Sequence, residues 1–283
     1  MSERLVVDQP ARLLEFLRRR LPEWKRSTLE KRLRAGCVYV NGVPVRRNEA
    51  LAAGDEVLVG GEDAAPPAPP APKGIPVLFA DEELVAIDKP AGLLSVGSER
   101  ERGRTALALL RASLSRPGKP AALWPVHRLD RETSGVLLFA RTAAARDALQ
   151  ARWSEAEKVY LAIVVGAPEP ASGAIEQPLF EDGDLFVRVG ARPGAKAART
   201  RYATREVQGG RALLEVGLDS GRKHQIRAHL AWLGHPLVGD ARYGVAGPRL
   251  GLHALRLCVP HRARELVLEA RPPRDFLALL RST

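Results

Sequence analysis

The stretch His127–Ala140, HRLDRETSGVLLFA, decides how the rest of the chain is read. One acid, Asp130, stands between Arg128 and Arg131. A small polar turn, Thr133-Ser134-Gly135, follows, and then the apolar run Val136-Leu137-Leu138-Phe139. A short apolar run bounded by a turn signal reads as a buried strand. Asp130 is thereby predicted in a loop held against a rigid strand, where binding and catalytic groups concentrate. By itself, an Arg-Leu-Asp triplet also describes a surface acid paired with a neighbouring arginine, and such exposed pairs are common and carry little energy.

The surrounding composition narrows the class. The chain has 283 residues, enough for one large domain and a small one. Its 44 Lys+Arg against 33 Asp+Glu leave a net charge of +11. That surplus favours a polyanion such as nucleic acid, or an anionic membrane. No apolar run approaches the roughly 20 residues needed to span a bilayer. The opening MSERLVVDQPARLLEF lacks the uninterrupted apolar core of a signal peptide, so a cytoplasmic protein without membrane association is expected. Cys37 and Cys258 are too few and too far apart for a disulfide framework or a zinc site. His224 and His229 are five apart, not the four that put two ligands on one helical face, so no metal is expected. Without a phosphate-cradling glycine loop or a dinucleotide fingerprint, no cofactor is expected either.

Residues 1–61 read as a first unit. Helix signals run from Pro10 through Leu13, Leu14 and Leu17. Ser27-Thr28-Leu29-Glu30 reads as a capping box for a second helix, which Gly36 closes, and Lys31, Arg32 and Arg34 make that helix basic. Cys37–Val40, Asn41-Gly42 and Val43–Val45 form a hairpin signal, and Asp55–Val59 another strand. The prolines of residues 62–73, EDAAPPAPPAPK, favour a semi-rigid spacer that tethers the first unit at some distance from a second, residues 74–283.

In the second unit Val77–Ala80 and Leu84–Ile87 are strands, followed by the turn Asp88-Lys89-Pro90-Ala91-Gly92. Thr105–Leu114 is helical. Thr142 can cap a helix that ends near Glu157, and Lys158–Val164 is strand-like, with Tyr160 inside it, where a tyrosine most often packs the core. Leu185–Val187 is a short strand piece, and two strands pair around Gly209-Gly210. In SGRKHQIRAHLAWLGHPLVGDARYG, residues 220–244, Ser220 caps a helix that Gly234 stops. Ile226, Leu230 and Leu233 share one face, with Lys223 and Arg227 beside it.

Two of these segments together carry a resemblance. His127–Gly135 closely resembles the HRLD-x-x-[TS]-[SG]-G motif of the RluA-like pseudouridine synthases, and Gly221–His229 resembles that family's G-R-x-H-Q-I-R-x-H motif about a hundred residues later. The order of basic helix, glycine, strand, Asn-Gly and strand in residues 1–61 resembles the small alpha-L RNA-binding domain (S-four type) first known from a ribosomal small-subunit protein. The resemblance implies an α+β fold with a mixed, largely antiparallel central sheet and flanking helices, preceded by a small α/β RNA-binding domain. It implies isomerisation of uridine in RNA to pseudouridine, most commonly in large-subunit ribosomal RNA for members with this extra domain, with transfer RNA as an alternative. A non-catalytic RNA-binding or ribosome-assembly factor that keeps the fold is the competing reading.

The resemblance also implies roles. Asp130 is the catalytic acid, Tyr160 stacks on the target base, and Arg227 pairs with Asp130. Ile226 supplies an apolar wall, and Arg128 fills the space left by the extruded base. His127 is counted with them on the substrate side, as a support of the loop. Arg26, Lys31, Arg32 and Arg34 are candidate phosphate contacts, which position RNA without reading its sequence. RNA is the expected partner, and a monomer is expected.

Overall fold

The structure, a computed structural model, describes residues 3–35, 37–41, 43–45, 47–60, 75–97 and 105–281. Gly36, Gly42 and the proline-rich spacer, on which three expectations fell, lie outside the described residues. Among the described residues no helix is long and apolar enough to cross a membrane.

The first body comprises β1 (Glu3–Val6), β2 (Ala11–Arg12), α1 (Leu13–Arg20), α2 (Arg26–Arg34), β3 (Val38–Val40), β4 (Val43–Val45), β5 (Ala50–Leu51) and β6 (Glu56–Val59). Its antiparallel sheet runs β1-β6-β3-β4, with β2 paired to β5. Leu13, Phe16 and Leu17 of α1 recur at helical spacing, as do Leu29 and Leu33 of α2, and these faces bury Val38, Val40 and Val57 in a core of their own. Asn41 turns the hairpin at φ 51°, a left-handed conformation that asparagine tolerates. Its amide donates to Asp55 and its carbonyl accepts the Glu56 N–H, both at 2.8 Å. The capping box does not form. Helix α2 begins at Arg26, after Lys25, with no side-chain cap. Glu30 is taken by Arg26 Nε at 2.8 Å rather than reaching back to the backbone at Ser27.

The second body comprises β7 (Val77–Ala80), β8 (Leu84–Lys89), α3 (Ala106–Leu114), β9 (Trp124–Pro125), β10 (Ser134–Ala140), α4 (Ala143–Ala151), β11 (Glu157–Val165), β12 (Ser172–Ile175), β13 (Leu179–Glu181), β14 (Val187–Val189), β15 (Thr200–Gln208), β16 (Arg211–Leu218), α5 (Gln225–Trp232), β17 (Leu252–His261), β18 (Arg264–Glu269) and α6 (Arg274–Arg281). The main sheet runs β12-β15-β16-β11-β17-β10-β8-β7, with β18 on β17 and β9 on β10. Every pairing in it is antiparallel except β10 with β17. The fold is therefore α+β with a mixed, largely antiparallel sheet.

Strand β10 is buried along its whole length. Leu137 and Phe139 face Leu107 and Leu110 of α3, while Val136, Leu138 and Ala140 face Leu149 of α4 and Leu257 of β17. A strand covered on both sides needs no polar alternation, which is why its sequence is a continuous apolar run. Thr105 and Thr142 cap α3 and α4 by accepting N–H bonds three residues on. Helix α4 ends at Ala151, earlier than expected, and a single 3-10 turn over Trp153–Glu155 leads into β11.

Helix α5 also starts later than its sequence suggests. His224 adopts the left-handed conformation, so Ser220 is not the cap; its hydroxyl donates to Gln225 Oε1 at 2.8 Å. Lys223 falls off the helix and pairs with Glu181. The two bodies are not held apart, because Arg116 of the second lies 2.6 Å from Glu49 of the first.

Gly135 marks where β10 crosses β17. It has φ +112°, and a Cβ there would stand 2.1 Å from the Ala254 carbonyl oxygen. Gly135→Ala is expected to lose roughly 2–5 kcal/mol in urea unfolding, from strained backbone and a contact that cannot relax. Gly183→Ala, with nothing within 4 Å of the added carbon, should stay within about 0.5 kcal/mol of the parent.

Candidate active site

Asp130 sits in the loop between β9 and β10, and that loop is gripped from several sides. The Ser95 hydroxyl donates to the Leu129 carbonyl at 2.7 Å and accepts the Leu129 N–H at 3.0 Å. Lys89 is fully buried, and its ammonium donates to the carbonyls of Pro90 (3.0 Å), Leu93 (2.7 Å) and Arg131 (3.1 Å). The Gly92 N–H donates to the same Arg131 carbonyl at 2.8 Å. The Lys-Pro-x-Gly turn thus clamps the residue that follows Asp130. Burial brings the Lys89 pKa down to about 8, against the opposing pull of Glu132 and Asp130.

The Asp130 side chain is 23% exposed and faces a cavity shared with Arg128, Thr133, Tyr160, His224, Ile226 and Arg227. Tyr160 comes from β11, beside a register shift in its pairing with β17. Burial, followed by the charge of Asp130, raises its phenol pKa, so the ring stays neutral. Ile226, almost fully buried at the start of α5, forms an apolar wall with Leu218 and Leu252. Arg128 is exposed at the cavity and makes no hydrogen bond or ion pair to a described residue.

Arg227 is oriented by a partner that sequence reasoning left without a role. Its Nε and Nη2 donate to the two carboxylate oxygens of Asp240 at 2.8 and 2.7 Å, in a bidentate pair shut away from solvent. Only Nη1 remains, 3.5 Å from Asp130 Oδ2 and 3.9 Å from Glu132. Burial pushes the Asp240 pKa up, but Arg227 and the N–H groups of Arg242 and Tyr243 outweigh it and hold the carboxyl below its usual range. Gly239 is required beside it: φ is +75°, and a Cβ would lie 1.9 Å from the Arg249 carbonyl oxygen. The pairing of Arg227 with Asp130 that the resemblance implies is thus secondary: Arg227 is committed first to Asp240 and meets Asp130 with what is left.

His224 is the other unforeseen neighbour. Its Nε2 is 3.8 Å from the same Asp130 oxygen, Oδ2, and its Nδ1 is 3.0 Å from the Tyr243 hydroxyl, which accepts the Val187 N–H at 3.2 Å. Burial lowers the His224 pKa against the pull of Asp130. Arg227 and His224 both approach Oδ2, and Oδ1 has no hydrogen-bond partner among the described residues.

His127 does not line the cavity, contrary to its expected place on the substrate side. Its Nε2 accepts the Leu138 N–H at 3.0 Å, and its ring stacks on Trp153 with centroids 5.2 Å apart. Burial and then Lys158 bring its pKa down to about 4, so it is a neutral brace between the loop and β10. His229 likewise turns away, onto Thr200 and the Gln177 carbonyl. Among the described residues no group of three or more His, Cys, Asp or Glu could hold a metal ion.

In the first body Arg26, Lys31 and Arg34 are exposed along α2. Arg32 is half-buried, with its guanidinium 4.5 Å from the Trp24 ring centroid and bonded to the Gly60 carbonyl. Three of the four candidate phosphate contacts thus face solvent, while the fourth braces the fold.

Comparison with known proteins agrees with this architecture. Residues 83–232 match the RNA pseudouridylate synthase family and residues 11–57 the S4 domain. The ribosomal large subunit pseudouridine synthase D of Nitrosomonas europaea is 34% identical, with 96% of this chain and 84% of that protein aligned. The protein of the same name from Xylella fastidiosa is 37% identical over 79% of this chain and 68% of its own. The structure of human RNA pseudouridylate synthase domain containing 4 matches with a TM-score of 0.62 at 28% identity, covering 72% of this chain and 91% of that one. The chain belongs to the RNA pseudouridylate synthase family, isomerases that convert uridine in RNA to pseudouridine, and carries an S4 domain at its N-terminal end.

Asp240→Asn deprives the buried Arg227 of its bidentate counter-charge, leaving only the more distant Asp130 and Glu132, so a stability loss of about 3–5 kcal/mol is expected in urea unfolding. Isomerisation should fall with it even at temperatures where the variant remains folded. Unchanged stability and turnover would show that the pair does not orient Arg227.

Proposed function

We propose that this enzyme converts a uridine of large-subunit ribosomal RNA to pseudouridine with Asp130 as its catalytic residue. The observation that carries the reading is the convergence of Asp130, Tyr160, Ile226 and Arg227 on one cavity from a loop, a strand and a helix. The reaction breaks the bond from ribose C1′ to N1 of the base, turns the base and joins C1′ to C5. A proton leaves C5 and one is gained at N1, with no oxidation and no imported group.

Such a reaction needs a carboxylate against the ribose or the base to stabilise or trap an electron-poor intermediate. Oδ1 of Asp130, without a hydrogen-bond partner among the described residues, suits that task, with Oδ2 turned to Arg227. The freed base must be recaptured before water intervenes, and the Ile226, Leu218 and Leu252 wall with the Tyr160 ring supports this. A uridine inside folded RNA reaches Asp130 only by leaving its stack, and Arg128, exposed at the cavity, is suited to fill the gap.

In this reading residues 1–61 are the RNA-binding domain, 62–73 a spacer and 74–283 the catalytic domain. Arg26, Lys31 and Arg34 meet phosphates, and Arg32 holds their helix in place. The names of the bacterial relatives support the ribosomal target. The enzyme acts as a cytoplasmic monomer.

Asp130→Asn should keep its affinity for RNA and lose isomerisation by about 1,000-fold or more. Isomer mapping at wild-type rate in that variant would remove Asp130 from the chemistry. Deleting residues 1–60 should weaken binding to large folded RNA and flatten its salt dependence, because phosphate contacts are lost, while single-turnover chemistry at saturation changes little. Equal affinity and equal salt slope would remove the RNA-binding role of that domain.

A further inference from the structure

Glu49 lies at the boundary between the two bodies, and both of its oxygens are taken from the far side. Arg116 Nη1 is 2.6 Å from Oε1 and Lys119 Nζ is 2.8 Å from Oε2. Arg116 Nη2 donates to the Val40 carbonyl in β3 at 2.7 Å, so one guanidinium holds two separate parts of the first body. Arg116 is 12% exposed and Glu49 17%. This pair is therefore shielded from the screening that makes open surface pairs nearly worthless.

Both ends of the contact are rigid. Arg116-Pro117-Gly118-Lys119 is a closed turn in which Arg116 and Lys119 exchange backbone hydrogen bonds at 3.1 and 2.9 Å. The Ser115 hydroxyl ties that turn to the end of α3 by donating to the Arg111 carbonyl at 2.7 Å. On the other side, the Glu49 carbonyl accepts the Leu13 N–H and Asn48 Oδ1 accepts the Leu14 N–H, both at 2.9 Å, which fixes the loop to the start of α1.

The opposite end of α3 reaches the active site. The N–H groups of Ala106 and Leu107 donate to the carbonyls of Leu94 and Ser95 at 2.8 and 3.1 Å, and Ser95 brackets Leu129, the residue before Asp130. A nine-residue helix, roughly 14 Å long, thus has the Asp130 loop tied to one end and the first body tied to the other.

We propose that Glu49, clamped by Arg116 and Lys119, is a specificity-determining latch that sets the distance and orientation of the N-terminal RNA-binding unit relative to the Asp130 pocket. The enzyme then chooses its uridine by that uridine's separation from a second contact on the same RNA. The inference rests on the reading that the N-terminal unit binds RNA. Two linked sites reinforce each other only when their spacing matches the span between their targets. Released from the latch, the units would lose the ion pairs that fix their spacing, and the spacing would cease to discriminate.

The test compares two substrates: the full transcript, large-subunit ribosomal or transfer RNA, that the wild-type enzyme modifies, and a short stem-loop of it carrying the modified uridine. Glu49→Arg and Arg116→Glu should each lower kcat/KM on the full transcript by roughly 10- to 100-fold, with the stem-loop rate within about threefold of wild type. The stem-loop rate also reports that each variant is folded. The double variant Glu49→Arg/Arg116→Glu should recover most of the loss, since Lys119 is 72% exposed and free to turn aside. Small-angle scattering should show the single variants more extended than the wild type and the double variant. Wild-type kcat/KM on the full transcript in both single variants would overturn the latch, as would equal losses on both substrates. If deleting residues 1–60 leaves full-transcript affinity intact, the RNA-binding reading fails and the latch with it. If the deletion weakens binding and the charge reversals do not, the latch alone fails.

Discussion

The buried pair between Arg227 and Asp240 sets the geometry on which the site depends. A guanidinium has a fixed planar fork, so bonding two of its nitrogens to one carboxylate leaves the third a single direction, and that direction leads to Asp130. Burying such a pair is costly unless every lone pair and proton is satisfied. Asp240 meets the condition by accepting two further N–H groups from Arg242 and Tyr243. Those bonds need the tight turn at Gly239, where no side chain fits against Arg249. The cation at Asp130 is thus the visible end of an arrangement that reaches into the core.

The sheet supplies the matching half. Strands β10 and β17 run parallel over a short crossing that only a glycine at position 135 allows. Ser134 beside it is bonded to both His253 and Arg249, so the end of the Asp130 loop is tied to β17 and to the segment that closes over Gly239. Lys89 holds the same loop from the other side through the Arg131 carbonyl, while bonding the Pro90 and Leu93 carbonyls of its own turn. The carboxylate is positioned by backbone contacts and the guanidinium by a carboxylate. Neither relies on the substrate for its orientation, which is the condition for preorganised electrostatics.

Helix α3 connects this centre to the rest of the molecule. Its first turn bonds the segment that carries Ser95, and its last turn carries the loop that meets Glu49. The first body and the Asp130 cavity therefore share this connection in addition to the covalent chain. An enzyme that must find one uridine in a large folded RNA gains from such a connection, because phosphate contacts by themselves carry no sequence information.

Much of this architecture is legible in the sequence. The apolar run after Gly135 announced a buried strand, Thr105 and Thr142 announced their helices, and the Gly209-Gly210 turn its hairpin. These follow from local periodicity and backbone preference, which operate over a few residues and are written in the sequence itself. The motif residues Asp130, Tyr160, Ile226 and Arg227 were also legible, by resemblance, and they do meet in one cavity. Where local reading failed, a competing contact had won, whether within the same helix or between distant elements. Glu30 bonded Arg26 instead of a capping position, and His224 entered the left-handed region and delayed α5; His127 supports the loop as read, through Leu138 and Trp153, but from outside the cavity. Sequence by itself determined the strands and helices that local patterns mark, such as β10, α3 and α4, and by resemblance pointed to Asp130, Tyr160, Ile226 and Arg227, which line the cavity. The tertiary structure alone decided that Asp240 orients Arg227, that Ser95 and Lys89 hold the Asp130 loop, and that Glu49 joins the two bodies. Each of those is a pairing between residues distant in sequence, and hydrogen-bond direction and burial exist only once the strands have crossed.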